Sequence, residues 1–400
     1  MSQIWPLQEF DSAIVRNSIG RQNQIAAGDY KPEGEYPIVD QGQSFIAGYT
    51  DDAHKVVSDG LPYVIFGDHT RCFKYVDFPF ALGADGTKLL KPKADLFDPR
   101  FFYFALLSLN IPSRGYNRHY TLLREKKVPR PELDEQRQIA RVLATVQRAI
   151  EQQQAIIVTT RELKRSLMHK LFTEGLRGEA QKPTEIGMVP ESWEVKRIGE
   201  IATLKSGGTP SRGNEAFWKN GTIPWVKTGE VDYCVINDTE EKITQAGLDG
   251  SSAKIFPAGT LLMAMYGQGI TRGKVGILGV NAATNQACVA FFPKAEIRAG
   301  FLYQLFAFKY DYIRNLGHGA NQKNLSADIL KTVQIAYPKD TDEQDEIVVC
   351  LSSIDDKLAL AELKCAHYAD LFKTLLHQLM TAQLRVNDLD LDALGVPALD

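Results

Sequence analysis

Two short polar stretches hold the side chains with the most definite hydrogen-bonding chemistry: Ser113-Arg-Gly-Tyr-Asn-Arg-His-Tyr120 and Asn321-Gln-Lys-Asn324. Arg or Lys can grip the acceptor edge of a guanine, and Asn or Gln the paired donor and acceptor of an adenine. Lys, Arg, Ser, Thr and backbone amides can clamp phosphate. Arg114, Asn117, Arg118, His119 and Tyr120 supply that set in the first half of the chain, and Asn321, Gln322 and Lys323 in the second. Arg71, Lys74 and Lys88 have suitable chemistry too, as do Ser206, Thr209, Ser211, Arg212, Lys227, Gln268, Arg272, Lys274 and Gln286. Any one of these can equally be a solvated surface side chain. The two polar loops stand out because they fall at matching places in a repeat.

Catalytic chemistry is not legible. The Gly-rich segment Tyr266-Gly-Gln-Gly-Ile-Thr-Arg-Gly-Lys274 invites a phosphate-cradle reading, but a Walker motif needs GxxxxGK followed by Ser or Thr. Here Gly273-Lys274 is followed by Val275, and position 268 is Gln. No Asn/Asp-Pro-Pro-Tyr/Phe methyltransferase signature occurs. Glu194-Val195-Lys196 matches the end of a nuclease motif without any Pro-Asp partner, and reads as a strand start. The histidines are dispersed, with His169 and His377 placed to flank or cap helix ends. Trp218 and Trp225 read as core rather than stacking platforms. Five scattered cysteines without CxxC spacing fit a reduced, cytoplasmic compartment and argue against structural zinc or disulfides. No catalytic residue, metal ligand or cofactor is assigned to this chain. No apolar run reaches the roughly 20 residues that span a bilayer, and the start lacks the form of a signal peptide.

The elements that must position the loops are long helices. Glu135-Gln136 opens an apolar-periodic run that closes at Leu167-Met-His-Lys-Leu-Phe-Thr173. Glu343-Gln344 opens a second, closing at Leu375-Leu-His-Gln-Leu-Met-Thr381, at one fixed offset of 208 residues. In the first, Ile139, Leu143, Val146, Ile150, Gln153, Ile157, Thr160, Lys164, Leu167 and Leu171 recur in steps of four and three. That is a heptad seam, the pattern of a coiled coil; an ordinary amphipathic helix would instead turn Leu163 inward. The second seam is apolar or aromatic throughout: Ile347, Leu351, Ile354, Leu358, Ala361, Cys365, Tyr368, Phe372, Leu375 and Leu379. A duplicated seam predicts two helices packed antiparallel with pseudo-twofold symmetry, as a rod of about 54 Å at about 1.5 Å per residue.

Before each helix lies a domain-sized stretch of short β-rich runs, Gly and Asp turns and one buried helix. Phe101-Phe-Tyr aligns with Phe301-Leu-Tyr, Tyr116-Asn-Arg-His with Ala320-Asn-Gln-Lys, and Val39-Asp-Gln-Gly42 loosely with Val226-Lys-Thr-Gly229. The predicted class is α+β: mixed α/β domains at 1–130 and 180–337, long helices at 131–179 and 338–385, and a tail at 386–400. Net charges run +1, +1 and +3 over 1–130, 131–179 and 180–337, then −8 over 338–400. Bulk charge therefore neither demands nor excludes a nucleic-acid partner, and the acidic last helix suits a protein surface.

With these parts in place, the chain resembles the specificity subunit of type I restriction–modification systems over nearly its whole length. The likeness rests on the duplicated Glu-Gln helix starts and helix ends, on Gly187-Met-Val-Pro-Glu-Ser-Trp-Glu-Val195, on Lys205-Ser-Gly-Gly-Thr-Pro-Ser-Arg212 and on the loop Gly317–Asn324. The first domain lacks the Gly-x-Val-Pro-x-Trp entry and the Ser-Gly-Gly-Thr-Pro loop. The resemblance implies two target-recognition domains, each reading half of a bipartite double-stranded DNA sequence. It implies helices that space them and dock two adenine-methyltransferase subunits, with motor-nuclease subunits completing the complex. S-adenosylmethionine, ATP and Mg would sit on those partners. The competing reading is a scaffold whose rod and globular units bind only proteins.

Overall fold

Tyr63-Val-Ile-Phe-Gly67 is buried at every position, as expected for a strand covered on both faces. It lies between Phe73–Val76 and Thr87–Leu90, antiparallel to both. A second sheet sets Phe80–Gly83 parallel to Tyr36–Val39 and antiparallel to Val56–Val57, with Gly48–Thr50 antiparallel on the far side of Tyr36–Val39. The second half of the chain repeats this pairing. Leu261–Ala264 lies antiparallel between Val275–Leu278 and Cys288–Pro293. Ala282–Thr284 is parallel to Ile223–Val226 and antiparallel to Ile255–Phe256, with Glu241–Ile243 antiparallel outside Ile223–Val226. The second domain adds Ala202–Ser206 and Val235–Ile236 at its sheet edges. In each domain a strand near the start pairs antiparallel with the last one: Leu7–Glu9 with Lys127–Pro129, and, after the hairpin Gln181–Thr184/Gly187–Pro190, Trp193–Arg197 with Gln334–Pro338. Glu194-Val195-Lys196 is thus a strand.

The helix Pro99–Leu107 starts where Asp98 and Pro99 predict. The Asp98 carboxylate accepts from the amides of Arg100 and Phe101, satisfying two orphan donors, and proline occupies the first turn at no cost. Its counterpart is Ala299–Phe308. The long helices are Leu133–Glu174 and Thr341–Met380. All twenty seam positions are buried or half-buried, while Leu163 is 56% exposed, which selects the heptad seam over the drifting amphipathic face.

The chain divides into two compact units, Met1–Ala155 with Glu362–Asp400, and Ile156–Ala361. These cut across a division into separate domains and spacer helices, because halves of both helices complete each core. In the first unit Ile139, Leu143, Leu375 and Leu379 join Phe101, Phe102 and Leu106. The tail begins inside that core, with Val386 buried and Leu389 and Leu391 packed on it. In the second unit Leu171, Ile347 and Leu351 join Phe301, Leu302 and Leu305. There the helices run antiparallel: Lys164 meets Asp355, and the Leu176 amide meets Glu343. Lys164, a polar interruption of the seam, is explained by that ion pair, since Asp355 also accepts from Gln304.

The computed structural model describes residues 5–15, 19, 23–84, 86–113, 115, 117–267, 270–316 and 325–391. Among them no helix is long and apolar enough to cross a membrane.

Candidate nucleic-acid interface

In the first unit the polar loop after Ile111 is held by a residue that no sequence pattern singled out. Asp68 follows the strand Tyr63–Gly67 and is buried. Its Oδ1 accepts the amides of His119 (2.8 Å) and Tyr120 (2.7 Å), and its carbonyl lies 2.9 Å from His119 Nδ1. The Asp68 amide in turn donates to Gly86 O at 2.7 Å. Gln41 ties in a further loop, with Oε1 accepting the His69 amide and its carbonyl the Thr70 hydroxyl. The turn needs glycine at position 67, where a Cβ would stand 2.8 Å from the Gln41 carbonyl oxygen. Loops from three strand ends are therefore fixed to one another by buried polar bonds, which hold firmly because an unmade one is costly.

The predicted residues of this unit fall into different roles. Asn117 and Arg118 are exposed on the segment that Asp68 pins, whereas His119 is fully buried and serves as an anchor. Tyr120 is half-buried, with the Lys88 ammonium 5.6 Å from its ring centre. Arg71 is exposed, in a left-handed backbone conformation, and donates through Nη1 to Ile111 O. Lys74 departs from its expected place at the surface. It is buried, and Nζ donates to Asp40 O (2.8 Å) and Ser44 O (2.5 Å), with desolvation pushing its pKa down. Its ammonium is consumed in holding the 40–44 loop. Arg114 lies outside the described residues.

In the second unit the Ser206–Arg212 loop is clamped by two tryptophans. Trp225 Nε1 donates to Gly208 O and Trp218 Nε1 to Ser211 O, each at 3.0 Å. A Cβ on Gly208 would stand 2.4 Å from the Ala253 amide nitrogen, so only glycine permits this close approach. Ser206 is exposed, and the Thr209 hydroxyl donates to the Gln286 side chain. Trp225 is core, as expected, and Trp218 is half-buried against the same cluster.

Three predicted cations of this unit are paired with acids. Arg212 makes a two-pronged bond to Glu241 (2.7 and 2.9 Å), which holds the Glu241 carboxyl below its ordinary range. Lys227 lies 2.6 Å from Glu240, and Lys274 2.6 Å from Asp232 with its chain largely covered. Arg272 is half-buried. The Gly-rich segment is buttressed by Tyr310, whose hydroxyl donates to Ile270 O and accepts from Arg314. Gln268, Asn321, Gln322 and Lys323 lie outside the described residues. Glu240, Glu241 and Asp232 were missed because an acid's partner is decided by folding across strands, not by neighbours in the chain. Among the described residues no group of three or more His, Cys, Asp or Glu could hold a metal ion.

The chain is similar to known proteins over most of its length. It is 24% identical over 340 residues to the type I restriction enzyme EcoR124I/EcoR124II specificity subunit of Escherichia coli, covering 83% of this chain and 82% of that one. It is 32% identical over 195 residues to the MjaIX specificity subunit of Methanocaldococcus jannaschii, covering 46% and 43%. The crystal structure of the type I restriction–modification S subunit from M. genitalium superposes with a TM-score of 0.67 over 95% of this chain and 97% of that one, at 18% identity, which shows a shared fold. The profile described as type I restriction modification DNA specificity domain matches residues 17–159 and 190–365, one match on each repeated domain. With both repeats matched, the chain belongs to the type I restriction–modification DNA specificity family.

Proposed function

We propose that this chain, a type I specificity subunit with DNA-recognition domains, reads a bipartite duplex target, one half with each domain. The long helices set the gap between the half-sites and dock adenine-methyltransferase subunits, two of them by virtue of the duplication. Motor-nuclease subunits complete the assembly, S-adenosylmethionine, ATP and Mg reside on the partners, and the chain itself is non-catalytic and cytoplasmic.

The observation that carries this reading is the repetition of one strand-pairing scheme beneath loops that differ in sequence. A kept frame with changed loops suits two different short sequences read in fixed register. The single-pronged Lys227–Glu240 pair of the second unit fits it as well. An exposed pair contributes only about 0–1 kcal/mol, so Lys227 can exchange Glu240 for a phosphate at little cost while counterion release drives binding. The partner methyltransferase must flip its adenine from the stack, which requires a duplex held in place.

Methylation mapping of the host genome gives the target. The chain purified with its methylation partner then binds that split sequence far better than random duplex at matched salt. Equal affinity for both rejects the reading. Replacing Arg272 and Lys323 with Ala weakens DNA binding and leaves partner binding intact, whereas a protein-only scaffold would lose nothing on DNA.

A further inference from the structure

The geometry points to Arg212 as a positioning residue: the Trp218–Arg212–Trp225 stack, locked by Glu241, sets the shape of the Ser206–Ser211 loop that presents Thr209 and Gln286 to the second half-site. This rests on the DNA-reading function proposed above and assigns a division of labour within it.

Sequence chemistry alone makes Arg212 a candidate for gripping guanine or phosphate. Its surroundings assign it elsewhere. The guanidinium carbon lies 3.8 Å from the Trp218 ring centre and 4.9 Å from that of Trp225. The two rings meet edge to face at 5.0 Å. Both terminal nitrogens are taken by the two Glu241 oxygens, so the end-on fork that could grip a guanine edge is occupied. Each indole that touches the guanidinium also holds one carbonyl of the loop, Trp225 that of Gly208 and Trp218 that of Ser211. Thr209 lies between those two anchors and bonds Gln286 on the neighbouring strand connection. Stacking, fork and indole bonds thus form one unit, whose output is the placement of the Thr209–Gln286 pair. A planar cation with a fixed fork performs this and a lysine cannot.

The test uses the full chain assembled with its methylation partner, on duplexes carrying the mapped target with each base pair of either half-site substituted in turn. The variants are Arg212→Ala, Arg212→Lys, Glu241→Gln and the double Arg212→Ala/Glu241→Gln. Arg212→Ala and Glu241→Gln each weaken cognate binding, by about tenfold or more if a base contact is displaced. The double variant is no worse than the poorer single one. Discrimination falls across the second half-site and is unchanged across the first. Non-specific affinity and its salt slope stay as in the parent, and Arg212→Lys does not rescue. A direct contact gives a different pattern. Glu241→Gln frees the guanidinium and binds as well as or better than the parent, and Arg212→Ala loses preference at one base pair or lowers the salt slope by about one. That pattern overturns the inference, as do variants that all bind like the parent. Should Arg212→Ala fail to fold, the mild Glu241→Gln decides alone. A parent complex that does not discriminate its mapped target from random duplex rejects the DNA-reading function itself, a separate outcome from any variant result.

Discussion

Gln136 and Gln344 make the same three hydrogen bonds, one in each unit. Gln136 Oε1 accepts the Asp98 amide, and its Nε2 donates to Leu96 O and Pro131 O. Gln344 Oε1 accepts the Arg298 amide, and its Nε2 donates to Glu296 O and Pro338 O. Both side chains are fully buried. Each latches the first turn of a long helix to the first turn of the buried helix of its own domain. Glutamine is the residue that fits, because one amide group supplies an acceptor and two donors in a fixed plane.

Replacing Gln136 or Gln344 with Ala removes three bonds and orphans a buried amide and two carbonyls. At about 1 kcal/mol per bond, with about 1–3 kcal/mol for each orphaned group that water cannot reach, the loss is about 3 kcal/mol or more. Gln136→Glu is no milder, since it turns a carboxylate oxygen towards two carbonyls. Denaturant unfolding gives the size of the effect. Hydrogen exchange shows it confined to the unit carrying the change, and equal protection in parent and variant refutes the latch.

The seam makes a second prediction. Leu351→Asp or Leu375→Asp places a charge among buried apolar groups and costs several kcal/mol. Leu163→Asp, on the exposed flank, stays within about 0.5 kcal/mol of the parent. Thermal melting compares the three; a large loss at Leu163 means the helix faces inward on the wrong side.

The helices, the repeat and the helix cap at Asp98 were legible because each is written in local spacing: steps of three and four, a fixed offset of 208, an Asp-Pro pair before an apolar run. The roles of individual polar residues were not. Lys74 and Lys227 look alike in the sequence, yet one is buried beneath a loop and the other half-exposed beside Glu240. Which cation is anchor and which is reader depends on strand register, and register joins residues far apart in the chain. Gly67-Asp68 at the end of an apolar strand was the one available hint that a tight, polar turn is built there.

Acid stability gives a third prediction. Glu194 pairs with Lys339 and Lys196, and these hydrogen bonds, Lys339's first, lower its pKa from the ordinary 4.5 to about 2 against the opposing effect of burial. A folded-state pKa below the unfolded one contributes stability that is complete above about 4.5 and is lost as pH falls from there towards about 2. Glu194→Gln lacks that contribution at every pH. The gap in melting temperature between parent and variant is therefore widest near neutrality and closes in that acid window, and salt narrows it because the group is partly exposed. A gap that does not change with pH sinks the assignment.

Asp68 supplies the last prediction. Its Oδ1 is the common acceptor for the His119 and Tyr120 amides, directly after the exposed Asn117 and Arg118. Asp68→Ala strips both bonds and frees the segment, so discrimination falls at the first half-site and holds at the second. Asp68→Asn keeps an oxygen acceptor in place and is milder, although it loses the charge that strengthens both bonds. Measured on the assembled complex with half-site substitutions, Asp68→Ala and Arg212→Ala are expected to damage opposite halves of the target. If both damage the same half, the two domains do not read independently, and the duplicated frame has some use other than dividing the sequence between them.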